Sequence, residues 1–543
     1  MAVWLSTSSI FTGSSSENFM SALLKPLRVA LSLLILCLFL FLFLDSWTDL
    51  TDRFSLYLTD TQLIPYYLRW ISTREVFYGG GILLILLSLL FGRVYCSSVC
   101  PLGTIQDMLI RLRRIFRSRR RRFFRLLRPH RFLRYGILLL VLLSLASGMT
   151  TLLLLLDPYS ISGRFFTTWV KPLFTMLYNA FTESLQAMNY YAVKPLDWHW
   201  DAGPAAWFAL GWMFLVSVMS VVGGRLYCNT LCPVGTLLGL LSHVSIWRIR
   251  IAPSKCTLCA KCGQVCKAGC INMNHHQLDF SRCVACMNCI NVCSEGAVTY
   301  HRSRFGSIRI KESSAEGRRK FLKQGLGLGA VIPLAGSDSL SFELDPLNSR
   351  ESAVRKAICP PGSLGRAHFT SFCTSCYLCV SQCPTKVLQP SILEFGIEGL
   401  YQPMLDFSIK YCSYECNICS LVCPCGAIIP LSLEAKKQVQ MGKARLIEHL
   451  CIVVTKGTHC GACSEHCPTK ACDMVPYVGN LTIPKVNTDI CTGCGACEHA
   501  CPTSPRSIVV DENEIHLLAR LPAKKVLEAL PDKEEDNFEE FPF

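Results

Sequence analysis

Most of the 33 cysteines fall into sets whose spacing suits iron–sulfur chemistry. Cys256, Cys259, Cys262 and Cys266 form C-x2-C-x2-C-x3-C, and Cys283, Cys286, Cys289 and Cys293 repeat it. Cys373, Cys376, Cys379 and Cys383 do the same, with Pro384 behind the last. Cys412, Cys416, Cys419 and Cys423 carry one extra residue in the first gap, and Pro424 follows. Cys460, Cys463 and Cys467 precede Pro468 but lack a nearby first cysteine, a place that Cys451 fills best and Cys472 contests. Cys491, Cys494, Cys497 and Cys501 are regular again, with Pro502. Pro is absent after Cys266 and Cys293.

Three thiolates two residues apart wrap three corners of a cubane, and the fourth cysteine ligates the neighbouring cluster, as in two-cluster bacterial ferredoxins. That rule pairs Cys256, Cys259, Cys262 with Cys293, and Cys283, Cys286, Cys289 with Cys266. It pairs Cys373, Cys376, Cys379 with Cys423, and Cys412, Cys416, Cys419 with Cys383. It pairs Cys451, Cys460, Cys463 with Cys501, and Cys491, Cys494, Cys497 with Cys467. Six 4Fe–4S clusters are expected, with each fourth cysteine opening a helix whose first turn tolerates the following proline. Structural zinc needs two separated C-x2-C knuckles, which these neighbouring quartets do not resemble. A disulfide scaffold belongs to short secreted chains. Left over are Cys37, Cys96, Cys100, Cys228, Cys232, Cys270, Cys359, Cys425 and Cys472.

What must position these centres is partly apolar. Of 543 residues, 51% are hydrophobic and 17% charged, a composition that points to a membrane-embedded portion. Four stretches read as spans: 29–44, 76–91, 135–156 and 205–222, the third being long enough to cross a ~30 Å core. Segment 111–134 carries twelve arginines and no acid. By the positive-inside rule it is cytoplasmic, while loops 45–75 and 157–204 lie outside. The net charge of +15 is concentrated there, so it reads as a topology or lipid signal and not as a nucleic-acid surface. Residues 1–20 are polar with no basic n-region, so no cleavable signal peptide is expected. No span holds a histidine, and His130, His199 and His243 read as structural, so no b haem is expected.

The apolar half repeats itself. Gly92-Arg93-Val94-Tyr95-Cys96-Ser97-Ser98-Val99-Cys100-Pro101-Leu102-Gly103-Thr104 matches Gly224-Arg225-Leu226-Tyr227-Cys228-Asn229-Thr230-Leu231-Cys232-Pro233-Val234-Gly235-Thr236 at eight of thirteen positions. Two tandem two-span units follow, with Cys96, Cys100, Cys228 and Cys232 at equivalent depth. Those thiols suit redox work, an iron or a 2Fe–2S site at the membrane; packing as small hydrophobes is the plain alternative. Between the first and second cluster pairs, Gly317-Arg318-Arg319-Lys320-Phe321-Leu322-Lys323 is similar to a twin-arginine export signal, with Gly317 where Ser or Thr is usual.

The expected fold is therefore multi-domain: an α-helical transmembrane bundle followed by three two-cluster ferredoxin-like α+β modules. The divisions are a cytoplasmic tail (1–27), the transmembrane domain (28–250) and a cytoplasmic module (251–302). A linker with the signal or anchor (303–345), modules at 346–440 and 441–520, and an acidic tail (521–543) complete the chain.

Two C-x3-C-P motifs, spans and clusters together resemble a fusion of two electron-transfer subunits of periplasmic nitrate reductase systems. Residues 28–300 resemble the NapH-type quinol dehydrogenase membrane subunit, and 317–510 the NapG-type ferredoxin. The nitrous oxide reductase regulator family shares the membrane core, but the Thr/Ser-Gly-Ala-Thr flavin attachment sequence it carries is not found here. The resemblance implies quinol oxidation, a membrane quinol pool and a periplasmic reductase as partners, in a bacterial inner membrane, with the C-terminal clusters periplasmic. Separate chains in that family are fused here. Cytochrome-oxidase assembly proteins combine the same motifs, so a metal-ion reductase or metallocofactor-maturation factor is the alternative.

Overall fold

The computed structural model describes residues 16–44, 50–74, 79–116, 130–196, 200, 203–273, 276–302 and 357–521. The twin-arginine-like segment with Arg318 and Arg319, most of the arginine run, and the N- and C-terminal tails lie outside the described residues.

The C-terminal part of helix Ser16–Leu44, from Leu33 onward, is all Leu, Ile and Phe apart from Cys37. Helix Pro204–Gly223 opens on proline at its first position and stops at Gly224, whose φ is +68°, in keeping with proline at helix starts and glycine just past helix ends. Among the described residues, Leu24–Leu44 and Pro204–Gly223 are long and apolar enough to cross a membrane. Helix Gly80–Phe91 has only 12 residues, about 18 Å at 1.5 Å each.

The span expected at 135–156 is not one helix. Arg131–Ala146 ends before Gly148, at φ +80°, and Thr151–Leu156 begins anew. Glycine supplies the left-handed turn without steric cost. The Thr150 hydroxyl at the break donates to the carbonyls of Thr370 and Cys373. The expected loop 157–204 is also corrected, because much of it is helical: Pro158–Phe165, a π turn at Phe166–Val170, then Lys171–Ala187. Asp157 caps it, its carboxylate accepting the Ser160 N–H at 2.8 Å with Pro158 next in line, a helix-start signal within the segment between two spans.

The bundle's outer surface exposes Leu31, Leu34, Leu83, Leu140, Phe214 and Val222. A soluble monomer seldom exposes so many large apolar side chains together.

The cysteine-rich segments form small α+β units. In the first, strands Trp247–Ile251 and Val298–Arg302 pair antiparallel, with Trp247 opposite Arg302. Helices Lys261–Val265 and Asn288–Val292 carry the third cysteine of each set. In the second, Leu388–Pro390 pairs with Pro403–Leu405 beside helices Leu378–Gln382 and Ile418–Val422. In the third, Val439–Leu446 pairs with Ile508–Leu518, and Cys472–Pro476 with Thr482–Val486. The second and third are joined by the Arg366–Glu512 ion pair and by the Cys412 N–H donating to the Cys494 carbonyl at 2.9 Å.

The first and second units meet helix Ser16–Leu44 at opposite ends. Leu24 packs on the first unit's core. The carbonyls of Leu42 and Phe43 accept from Gln382 and Ser381 of the second. Leu24 and Phe43 are about 28 Å apart along a helix rising 1.5 Å per residue.

Asp107 fastens the first unit. It meets Arg225 at 2.8 Å, Lys267 at 3.1 Å and Arg28 at 3.4 Å. Burial alone would raise its pKa, but the cations around it, Arg225 foremost, hold it well below the ordinary carboxylate range. Its stabilising charge is therefore present above the unfolded pKa near 4 and is lost only as pH falls well below that. Asp107→Asn strands buried cations and should cost roughly 3–5 kcal/mol. A lowered Tm and earlier proteolysis within 251–302 would show it, and a variant as protease-resistant as the parent would refute the fastening role.

Candidate iron–sulfur centres

The local backbone of the regular quartets explains how sulfurs are aimed. In Cys256-x2-Cys259-x2-Cys262, Leu258 and Ala260 have φ of 56° and 58°. Ala285 and Met287, Ser375 and Tyr377, and Gly493 and Gly495 occupy the same two places in their sets, all left-handed. Side chains there are strained, so the loop must over-determine the conformation. Its effect is to turn backbone N–H groups onto the sulfurs: Ser375 N–H points at Cys373 Sγ at 3.5 Å, and Leu378, Gly493 and Ala496 serve Cys376, Cys491 and Cys494 alike. Two of these glycines are also needed for space. A Cβ on Gly493 would lie 2.5 Å from the Gly442 carbonyl oxygen, and one on Gly495 2.1 Å from the Phe407 ring.

The fourth cysteine ends a helix instead of opening one. Cys266, Cys293, Cys383, Cys423 and Cys501 are extended C-cap residues, with ψ from 102° to 123°. The short helix carrying the third cysteine thus leads to the next site, and proline after it blocks continuation.

Three of the expected quartets line small cavities. Cys256, Cys259, Cys262 and Cys293 surround one with Met273 and Val298. Cys373, Cys376, Cys379 and Cys423 surround a second with Phe369 and Ile428. Cys451, Cys460, Cys463 and Cys501 surround a third with Leu446 and Ile508. The other three are gathered electrostatically. Burial and then the Cys286, Cys283 and Cys266 thiols push Cys289 up. Cys419 is raised by burial, then by Cys412, Cys383 and Cys416. Cys497 is raised by burial, then by Cys494, Cys491 and Cys467. Among the described residues no three His, Cys, Asp or Glu side chains converge to hold a metal ion. Three quartets ring small, mostly apolar spaces, and four convergent thiols are the ligand chemistry of a four-iron cluster.

Three cysteines outside the quartets have a place that spacing did not reveal. Cys270 lies 3.5 Å from Cys266, Sγ to Sγ, and its thiol hydrogen bond holds Cys266 down at about 6. Cys425 lies 3.8 Å from Cys423 and does the same there. Cys472 bonds to Cys463. Each follows a fourth cysteine by a few residues, which was the available signal. Cys359 is buried, and Cys37 is exposed.

The repeated membrane motifs form a reciprocal pair. Arg93 Nη2 donates to the Cys228 carbonyl at 3.0 Å, and Arg225 Nη1 to the Cys96 carbonyl at 2.9 Å. Each guanidinium also stands 3.9 Å from the first-cysteine sulfur of its own copy. Cys96, Cys100, Cys228 and Cys232 share one buried core with Tyr95 and Tyr227, and Cys286 packs against it. Tyr159, on the far side, packs with Phe43 in the core that contains Cys376. Arg93 and Arg225 were visible in the repeat, but only the structure shows that they cross between copies.

Comparison with known proteins agrees with this arrangement. A family model described as a 4Fe-4S binding domain matches twice, at residues 76–121 and 205–251, once over each C-x3-C-P copy. A 4Fe-4S dicluster domain matches 456–504. The methylamine utilization ferredoxin-type protein MauM of Methylobacillus flagellatus is 34% identical over 205 residues, 36% of this chain and 83% of that protein. The chain belongs to the ferredoxin-type iron–sulfur proteins. Other relatives in this family are the ferredoxin-type protein NapH of Haemophilus influenzae, 29% identical over 189 residues (35% of this chain, 52% of the relative), and NapF of Escherichia coli, 30% identical over 148 residues (27% and 81%). No solved structure matches.

Cys451 lines the third cavity, whereas Cys472 stands behind Cys463. Cys451→Ser should therefore lose about four iron atoms per chain. Cys472→Ala should keep the iron and shift one midpoint potential negative, because a hydrogen bond to sulfur is removed. Iron analysis with a redox titration separates them, and the reverse pattern would exchange their roles.

Proposed function

We propose that this protein is a membrane-bound relay that holds six 4Fe–4S clusters and passes electrons from quinol through such clusters to a periplasmic acceptor. The ligands are the six quartets named above, three of them read from cavities and three from mutual proximity. The observation that carries the reading is their order along the molecule. The Cys256 site is outermost at one end, where Cys259 is exposed. The Cys283 site adjoins the bundle through Cys286. At the other end, the Cys376 carbonyl lies only 2.4 Å from a Cβ built on Gly163, so the Cys373 site abuts the bundle there. The Cys412 and Cys491 sites touch through the Cys412–Cys494 hydrogen bond, and the Cys451 site ends the series. Centres strung in this order along both ends of the bundle suit electron transfer.

The arginine run and the positive-inside rule support a cytoplasmic first unit, with the other two units, at the opposite end of the bundle, in the periplasm of a bacterial inner membrane. A terminal reductase such as nitrate reductase is the expected acceptor, as the resemblance to that system implies. The two tandem repeats form the membrane domain, with Leu24–Leu44 and Pro204–Gly223 as its full-length helices. The buried Cys96, Cys100, Cys228 and Cys232 lie between the inner and outer sites and serve this passage, with or without iron.

Membranes containing the full chain should hold about twenty-four cluster irons per copy, and menadiol should bleach their absorbance. Added protease should cut 357–521 from the periplasmic face only. Clusters that reduce with dithionite but never with menadiol or decylubiquinol would sink the quinol relay. Loss of copper reduction in Cys96→Ser with Cys228→Ser, with quinol turnover intact, would favour the maturation role instead.

A further inference from the structure

A cavity of about 300 Å³ lies between the bundle and the second iron–sulfur unit, lined among others by Thr168, Lys171, Trp200, Ser381, Glu394 and Asp406. We propose that it receives the ring of a lipid-soluble quinol and is where that quinol is oxidised. The inference rests on the quinol relay above and gives it a site. The volume falls at the lower end of small-molecule pockets.

Each wall contributes a separate argument. One wall is helix Leu378–Gln382, where Val380 and Ser381 lie between Cys379 and Cys383, which belong to the two different quartets of that unit. A ring held there is beside both electron acceptors at once. The facing wall is the start of Pro204–Gly223, one of the two helices able to cross a membrane. Gly203, Ala205 and Ala206 line it and leave room for a flat ring to approach the backbone. The cavity therefore opens at the depth where a bilayer-soluble molecule would meet the second unit.

A third wall is aromatic. Trp200 gives its indole N–H to the Thr168 carbonyl at 3.1 Å and stacks edge-on against Trp169, whose ring is 5.5 Å away, as is Trp207 from Trp169. Tryptophan clusters of this kind mark membrane–water boundaries. Thr167 and Thr168 come from the single π turn of the Pro158–Ala187 helical stretch, and such turns recur at functional sites. Lys171, buried, anchors the two halves by donating to the Ser381 carbonyl at 2.7 Å and hydroxyl at 3.1 Å.

The polar groups match the reaction. Asp406 is held through one oxygen by the Ser408 N–H at 2.9 Å, and Glu394 through Oε2 by the Leu393 N–H at 2.9 Å. Each carboxylate has a second oxygen with which to take a proton. Quinol oxidation breaks both O–H bonds and converts the ring to the dione. Asp406 and Glu394 take one proton each, and the two electrons leave singly, one to each cluster of the adjoining unit. Both carboxylates belong to the second unit, so the protons depart on its side of the bundle.

The test uses the full chain in membranes, with menadiol as reductant and an azidoquinone as photolabel. The label should fall on peptides spanning 200–206 and 386–406 and be displaced by excess menadiol. Thr168→Leu, which narrows the cavity, should raise KM for menadiol at least tenfold. Asp406→Asn and Glu394→Gln should lower kcat at least tenfold with KM little changed. Dithionite reduction and iron content should match the parent in all three, showing that fold and clusters are intact. If menadiol fails to reduce the parent protein, the relay reading falls and this site with it. If it reduces the parent while the label lands elsewhere, the cavity is overturned and the relay stands. Label in the cavity with parental kcat in both carboxylate variants would overturn the proton step.

Discussion

Two arginines without access to water hold this molecule together. Arg93 and Arg225 are fully buried, and each spends its guanidinium on the other repeat's first cysteine carbonyl. A buried cation is costly unless its donors are met. Here most of them are met, by Asn229, Ser281 and Asp107 as well, and only Arg93 Nε is left without a partner among the described residues. Ser281 belongs to the first iron–sulfur unit, so the clamp that joins the repeats also seats that unit. Without it, the repeats would have no fixed register, and the sites beneath them no fixed distance from the bundle.

The same logic governs the other end. Fixing the second unit requires matching backbone groups that the bundle leaves unpaired. Leu42 and Phe43 are among the last carbonyls of their helix, which intrahelical bonds cannot satisfy, and Gln382 and Ser381 supply the donors. The Thr150 hydroxyl, at the break after Ala146, finds its acceptors in Thr370 and Cys373. A broken helix is tolerable at such a depth only where its surroundings re-satisfy the backbone. The iron–sulfur unit is that surrounding.

Sequence made the ligand logic legible because spacing and chemistry coincide in it. Three cysteines two residues apart can do little else, and the partner rule follows from the same loop. It did not show how the loop is aimed, since Leu258, Ala260, Met287 and Tyr377 are not glycines and give no sign of left-handed backbone. It did not show the role of Cys270, Cys425 and Cys472, because a thiol that donates to a thiol has no fixed spacing. Apolarity overstated one span: composition across 135–156 is continuous, while a single Gly148 decides the break. The crossing arginines needed tertiary contact to be seen at all.

In the proposed arrangement electrons must cross the depth of the bundle, and a full hydrocarbon thickness is ~30 Å. The two units meet one helix at Leu24 and at Leu42–Phe43, about 28 Å apart along it, so most of that thickness lies between them. Between them lie four thiols and the buried Tyr95, Tyr227 and Tyr159, all in the two packed cores that touch Cys286 on one side and contain Cys376 on the other. Side chains therefore have to bridge the two faces. The reciprocal arginines fix the repeats by hydrogen bonds, and so hold those thiols in place between the two units.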